Sequence, residues 1–205
     1  MTRIGKRAFG LGFACLLGMA CTGAARAQQP VISDPLNAWP LNLGQQTDVI
    51  KLENGVVHIT APANRASWAL YSGFSFGDMD ASITITPVNN VGGVAGLVFW
   101  ATDSSDFDTL LVNLTAGSFG VFGHKSDGSW TTVVPYTNTT AVKAGAPASL
   151  RIMTKGNRAL LYINGVSIGS LGLLAPKAGG AIGIVGQGGP KDASDFAFSN
   201  LTVGN

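Results

Sequence analysis

Apolar and polar residues alternate over short runs, and turn residues break the runs about every 8–12 positions, the spacing of an all-β sandwich or barrel. Val49-Ile50-Lys51-Leu52 and Val56-Val57-His58-Ile59-Thr60 flank Asn54-Gly55. Both residues of that dipeptide accept positive φ, as a type I′ hairpin turn requires. Leu160-Leu161-Tyr162-Ile163 and Val166-Ser167-Ile168 flank Asn164-Gly165 in the same way, and Gly156-Asn157 predicts a third tight turn between 150–155 and 158–163. Further strands are expected over 68–71, 80–88, 94–101, 107–114, 119–124, 130–136, 181–187 and 196–203. No window carries a sustained helical stripe with caps, and no fixed-period repeat suggests a propeller or solenoid.

The first 27 residues read differently. Arg3, Lys6 and Arg7 precede an apolar run from Ala8 to Ala20, and Ala25-Arg26-Ala27 supplies the small residues of a signal-peptidase site before Gln28. The run is shorter than the roughly 20 residues of a membrane span. The expectation is an exported protein, periplasmic or secreted, with residues 1–27 as signal and 28–205 as one domain. A lipid anchor on Cys21 is the competing reading, although Gly18-Met19-Ala20 lacks the aliphatic residue expected there.

Cleavage changes the composition. Both cysteines, Cys15 and Cys21, leave with the signal, so disulfides and thiolate chemistry are excluded from the mature chain. Arg3, Lys6, Arg7 and Arg26 leave as well. Of 13 basic residues nine remain against 11 acidic ones, a net charge of −2. That balance offers no basic stripe for nucleic acid. Charged residues are 12% of the chain, about half the usual share.

Several stretches carry a family resemblance: Gly96-Leu97-Val98-Phe99-Trp100, Phe107 to Asn113, Gly117-Ser118-Phe119-Gly120-Val121 and Ser129-Trp130. Leu150-Arg151-Ile152, Tyr162-Ile163-Asn164-Gly165, Gly183-Ile184 and the closing Phe196-Ala197-Phe198-Ser199-Asn200-Leu201-Thr202-Val203 continue it. In this order they resemble the concanavalin A-like lectin and glucanase superfamily, most closely bacterial exported proteins with a 3-keto-disaccharide hydrolase domain or a laminin G-like jelly roll. The resemblance implies an antiparallel two-sheet jelly roll. It implies no single activity, because the superfamily includes lectins, glycosidases and adhesion modules.

Glycoside hydrolysis generally uses two carboxyl groups flanking the scissile bond, and glucanases of this superfamily are expected to carry a Glu-x-Asp-x-Glu strand. Here the only glutamate is Glu53, beside the first hairpin turn. Asp103, Asp106 and Asp108 cluster within six residues. Asp103 and Asp106 are candidate calcium ligands, since calcium takes oxygen donors and laminin G-like relatives hold it at loop edges; a polar turn is the alternative. No other cofactor is implied. No Gly-x-Ser-x-Gly elbow and no phosphate-binding loop is present.

Flat aromatic rings suit the apolar faces of sugars, so Trp100 and Trp130, with Asn113 and Arg151, are the candidate ligand-binding residues. Arg151 lies between Leu150 and Ile152 and must face solvent or a groove. If the protein is an enzyme, Asp108, His124 and Arg151 are the candidate catalytic groups. The leading expectation is an exported sandwich that binds a glycan or cell-envelope polymer. A hydrolase of the 3-keto-disaccharide type and a structural or adhesion module are the alternatives.

Overall fold

A computed structural model describes residues 31–89, 91–173 and 175–205; the signal reading falls outside them. The strands are β1 (Ile32–Asp34), β2 (Ile50–Glu53), β3 (Val56–Ala61), β4 (Ala66–Leu70), β5 (Met79–Asn89), β6 (Val94–Ala101) and β7 (Phe107–Asn113). They continue with β8 (Ser118–His124), β9 (Trp130–Asn138), β10 (Ala148–Lys155), β11 (Arg158–Ile163), β12 (Val166–Gly172), β13 (Ala181–Gln187) and β14 (Ser194–Gly204). One 3₁₀ turn, Leu41–Leu43, is the only helical element among the described residues. No helix there is long and apolar enough to cross a membrane.

The strands form two antiparallel sheets. The eight-stranded sheet runs β12-β11-β10-β5-β14-β3-β2, with β1 also paired to β14. The six-stranded sheet runs β4-β13-β6-β7-β8-β9. The expected hairpins form. Asn54 and Gly55 have φ of 51° and 74°, and Asn164 and Gly165 have 51° and 76°, the paired positive values of type I′. At Gly156-Asn157 only the glycine is positive, which matches type II′.

Period-2 alternation puts one face of each strand into the space between the sheets. Ile83, Ile85, Leu150, Ile152, Leu161, Ile163, Phe196 and Phe198 meet Leu97, Phe99, Leu110, Val112, Val121, Ile182 and Ile184 there. Each such side chain contributes about 1.5–3 kcal/mol on burial, and no disulfide is needed. The six-stranded sheet is also apolar on its other face, where Val94, Val98, Ala101, Phe107, Leu111 and Val185 form a second buried cluster under Trp68, Leu70 and Phe122. An antiparallel sheet with one solvated face normally alternates apolar with polar. This one does not, and its outer face draws attention for that reason.

Candidate functional site

The outer face of the six-stranded sheet is read off the alternation. Strand β7 presents Phe107, Thr109, Leu111 and Asn113; β8 presents Gly120, Phe122 and His124; β9 presents Trp130, Thr132 and Tyr136; β13 ends on Gln187. Two adjoining hollows lie on this face. One, of about 350 Å³, is lined by Asn64, Ala66, Leu111, Phe122, Trp130, Tyr136 and Gln187. The other, of about 240 Å³, is lined by Asn64, Gly92, Val94, Asn113, Tyr136, Gln187, Gly188 and Pro190. Asn64, Tyr136 and Gln187 line both, so the two form one groove.

Aromatic packing builds one end of it. The His124 ring stacks on Phe107 with centroids 4.9 Å apart, and Trp130 meets it edge-on at 4.8 Å. Trp68 closes the cluster at 5.1 Å from His124. His124 Nδ1 lies 2.7 Å from the Ser105 carbonyl, which can only accept, so Nδ1 is the protonated nitrogen. The Trp68 indole N–H donates to the Ser104 carbonyl at 3.0 Å. These two bonds tie the loop 102–106 to the sheet, and Trp130, 41% exposed, is left as the outer ring of the cluster. Further along, Phe122 meets Tyr136 at 5.0 Å. Gly120 makes room for that pair, because a Cβ there would lie 2.5 Å from the Phe122 ring.

Several of the groove's polar groups are not used by the fold. Among the described residues the Gln187 carboxamide, the Tyr136 hydroxyl, the Trp130 indole N–H and the Asn113 Nδ2 donors have no hydrogen-bond partner. Asn113 Oδ1 instead caps its turn by accepting from the Thr115 and Ala116 N–H groups, and Asn64 Nδ2 donates to the Pro190 carbonyl. Partial burial pushes Tyr136 up to about 12, although the residue is half exposed. It therefore remains a donor as well as an acceptor through the alkaline range.

Of the residues expected from sequence, the structure brings Asn113, His124 and Trp130 onto this face and places the others elsewhere. Trp100 is a correction. It is 2% exposed, it lies in the core between the sheets, and its N–H donates to the Gly77 carbonyl at 2.8 Å. Alternation from Val94, Gly96 and Val98 would point it into the groove. However, the β6–β13 register slips by one residue between Ala181 and Gly183, and Trp100 takes φ of 54°. This bulge turns the indole inward. Gly180 permits it, since a Cβ there would meet the Trp100 backbone at 2.3 Å.

Arg151 stands apart from these residues, exposed as expected but on the outer face of the other sheet. Its Nε and Nη2 donate to the two Asp80 carboxylate oxygens at 2.7 and 2.6 Å, and its guanidinium sits 5.7 Å from the Tyr162 ring centre. A larger cavity of about 640 Å³ opens beside this pair, lined by Asp78, Asp80, Met153, Lys155, Arg158 and Leu160 among others. Its two carboxylates are engaged, Asp78 by Lys155 at 2.8 Å and Asp80 by Arg151.

Asp108 belongs to the six-stranded sheet but has the opposite parity to His124 on the paired strand, so the two point to different faces. Burial pushes its carboxyl above the usual carboxylate range; Lys125 draws it back and Asp106 adds to the rise. Asp108, His124 and Arg151 therefore occupy three surfaces. Asp103 Oδ1 accepts from the Ser105 N–H, the Ser105 hydroxyl and the Asp106 N–H, and these bonds hold its carboxyl below the usual range. Asp106 pairs with Lys125 at 3.2 Å. Among the described residues no three His, Cys, Asp or Glu side chains converge as a metal site. The second histidine, His58, meets Asp195 at 3.1 Å on the eight-stranded sheet.

The sequence matches no protein-family model and no curated protein. Solved structures do match the fold. The carbohydrate binding module CBM66 from Bacillus subtilis superposes with a TM-score of 0.59 at 16% identity, covering 73% of this chain and 86% of that one. A Bacillus licheniformis β-glucanase gives 0.61 at 12% identity over 85% and 97%. The carbohydrate recognition domain of Emp47p gives 0.56 at 17% identity over 84% and 93%. The chain has the concanavalin A-like jelly-roll fold, which it shares with a carbohydrate binding module, a β-glucanase and a carbohydrate recognition domain.

Proposed function

We propose that the protein is a non-catalytic glycan-binding module acting outside the cytoplasm, and that its binding surface is the groove on the six-stranded sheet. The observation that carries this reading is the set of unpartnered polar groups around an aromatic floor. Accessible donors and acceptors that the fold leaves open are met by water, which a ligand's hydroxyl groups can replace. Here the Gln187 carboxamide, the Tyr136 hydroxyl and the Asn113 amide donors stay open beside Trp130 and Phe122. A sugar ring fits that combination, with C–H faces for the rings and hydroxyl groups that both donate and accept. Carbohydrate-binding proteins of the same fold lend support.

The hydrolase alternative draws on the resemblance to 3-keto-disaccharide hydrolase domains and on glucanases of the same fold. Against it, no aspartate or glutamate lines the groove among the described residues. A two-carboxylate mechanism has neither its acid nor its base there. Affinity electrophoresis through gels containing a panel of polysaccharides tests the reading. Retardation by at least one polysaccharide, lost in Trp130→Ala and without sugar release, is the expected result. Migration unchanged by every polysaccharide, or release of sugar above a buffer blank, overturns it.

A further inference from the structure

The groove has a second property, independent of its open hydrogen-bonding groups: it is electrically blank. Every residue lining either hollow is apolar or a neutral amide, hydroxyl or indole. Among the described residues the same holds along the outward positions of the sheet beneath it, from Ala66 and Trp68 across to Thr132 and Tyr136, where His124 is the one basic side chain. His124 is 7% exposed, enclosed by three aromatic rings, and has committed Nδ1 to the Ser105 carbonyl. The cations nearest in sequence, Arg65 and Lys191, adjoin lining residues but are exposed and line neither hollow.

From this we infer that the groove selects uncharged glycans and rejects those built on uronic acid, sulfate or phosphate; the inference rests on the glycan-binding reading above. A carboxylate or sulfate entering the groove would lose water against Phe122, Trp130 and Leu111 with no cation to receive it. Burial of an unpaired charge is among the most costly events in recognition. The open donors of Trp130, Tyr136, Asn113 and Gln187 serve a hydroxyl or an anion alike, so the hydrogen-bonding preference rests on the acceptors. An anion only accepts, whereas the Gln187 carbonyl and the Asn64 carbonyl oxygen need donors, which a hydroxyl supplies and a carboxylate does not. The net charge of −2 expected for residues 28–205 adds a weak long-range repulsion of polyanions.

The test is isothermal titration of the full domain with neutral oligosaccharides (laminarihexaose, cellohexaose, a levan oligomer) and with acidic ones (oligogalacturonate, dextran sulfate oligomers). Each is run at about 0.02 M and about 0.5 M salt, which spans strong to nearly complete screening. Gln187→Ala and Tyr136→Phe locate the binding; the second removes only a hydroxyl and keeps the ring that packs on Phe122. At least one neutral oligosaccharide is expected to bind with an affinity that changes less than about twofold between the two salts, and to weaken in both variants. An acidic oligosaccharide that binds more tightly than any neutral one, depends on salt and weakens in the same variants overturns the selectivity while leaving glycan binding intact. Binding of neither class overturns both.

Discussion

On the outer face of the eight-stranded sheet, Asp80 meets Arg151, Glu53 meets Lys51 and Asp195 meets His58, while Asp78 beside that face meets Lys155. Among the described residues that line the groove on the outer face of the six-stranded sheet there is no acid and no Lys or Arg, and the Gln187 carboxamide, the Tyr136 hydroxyl, the Trp130 indole N–H and the Asn113 Nδ2 donors are left without protein partners. Both faces come from short antiparallel strands. The first pairs its acids with its own basic side chains, so those charges are already engaged. The second keeps several neutral polar groups open beside apolar rings, as ligand sites do. Cavity size alone would favour the first face, where the volume is larger. Hydrogen-bond accounting favours the second, because its open groups give up only water to meet a ligand, whereas Asp78 and Asp80 of the first would have to leave Lys155 and Arg151.

The sharpest way to break this comparison uses the two tryptophans once expected to act together. Trp100→Ala removes a core ring and its bond to Gly77, and should cost about 3–5 kcal/mol in denaturant unfolding. Trp130→Ala should cost only about 1 kcal/mol, because its ring is the outer member of the aromatic cluster, yet it should abolish glycan retention. A stability cost for Trp130 as large as that for Trp100 would make it a structural residue. Next in size, Gln187→Ala should weaken glycan binding about tenfold, the loss of one or two hydrogen bonds, with an unchanged melting temperature.

Two smaller effects sharpen the contrast. Asp108 has a carboxyl raised by burial, so its ionisation opposes folding. Whatever stability the protonated form contributes is present below the ordinary aspartate value of about 3.9 and is lost as pH rises through the elevated folded value. Asp108→Asn should therefore raise the melting temperature at neutral pH and give no gain at pH below about 3.5. A loss at neutral pH would show that Lys125 matters more than desolvation. The smallest effect belongs to Arg151→Ala, which breaks an exposed ion pair and should change stability by less than about 1 kcal/mol.

Much of the fold was legible in the order of residues, because hairpin turns and period-2 alternation are local. Asn54-Gly55 and Asn164-Gly165 formed the turns they announced, and 12 of the 13 expected strands lie in register with a hydrogen-bonded neighbour within one or two residues of their expected ends, the short 166–168 being extended to Val166–Gly172. The site was legible only in part. Asn113, His124 and Trp130, singled out for their polar or ring chemistry, did reach one face together. Trp100 did not, because a one-residue bulge inverts the side on which a side chain emerges. Arg151 was correctly read as exposed, but alternation does not say which of two sheets a strand joins. That is decided by pairings such as β10 with β5, about 70 residues distant in the chain. Gln187 and Asn64 were missed for the same reason: they become neighbours only once β13 and β4 pair. Asp195 orients His58 from 137 positions away, beyond any spacing rule.

The central claim is that one face binds and the other does not, and a single titration series measures it. A neutral oligosaccharide that binds the wild-type domain is titrated into Trp130→Ala and Arg151→Ala, with folding of each checked by thermal melting. The expected result is no detectable binding to folded Trp130→Ala and wild-type affinity for Arg151→Ala. Wild-type affinity in Trp130→Ala together with loss in Arg151→Ala would contradict the account and move the site to the opposite sheet.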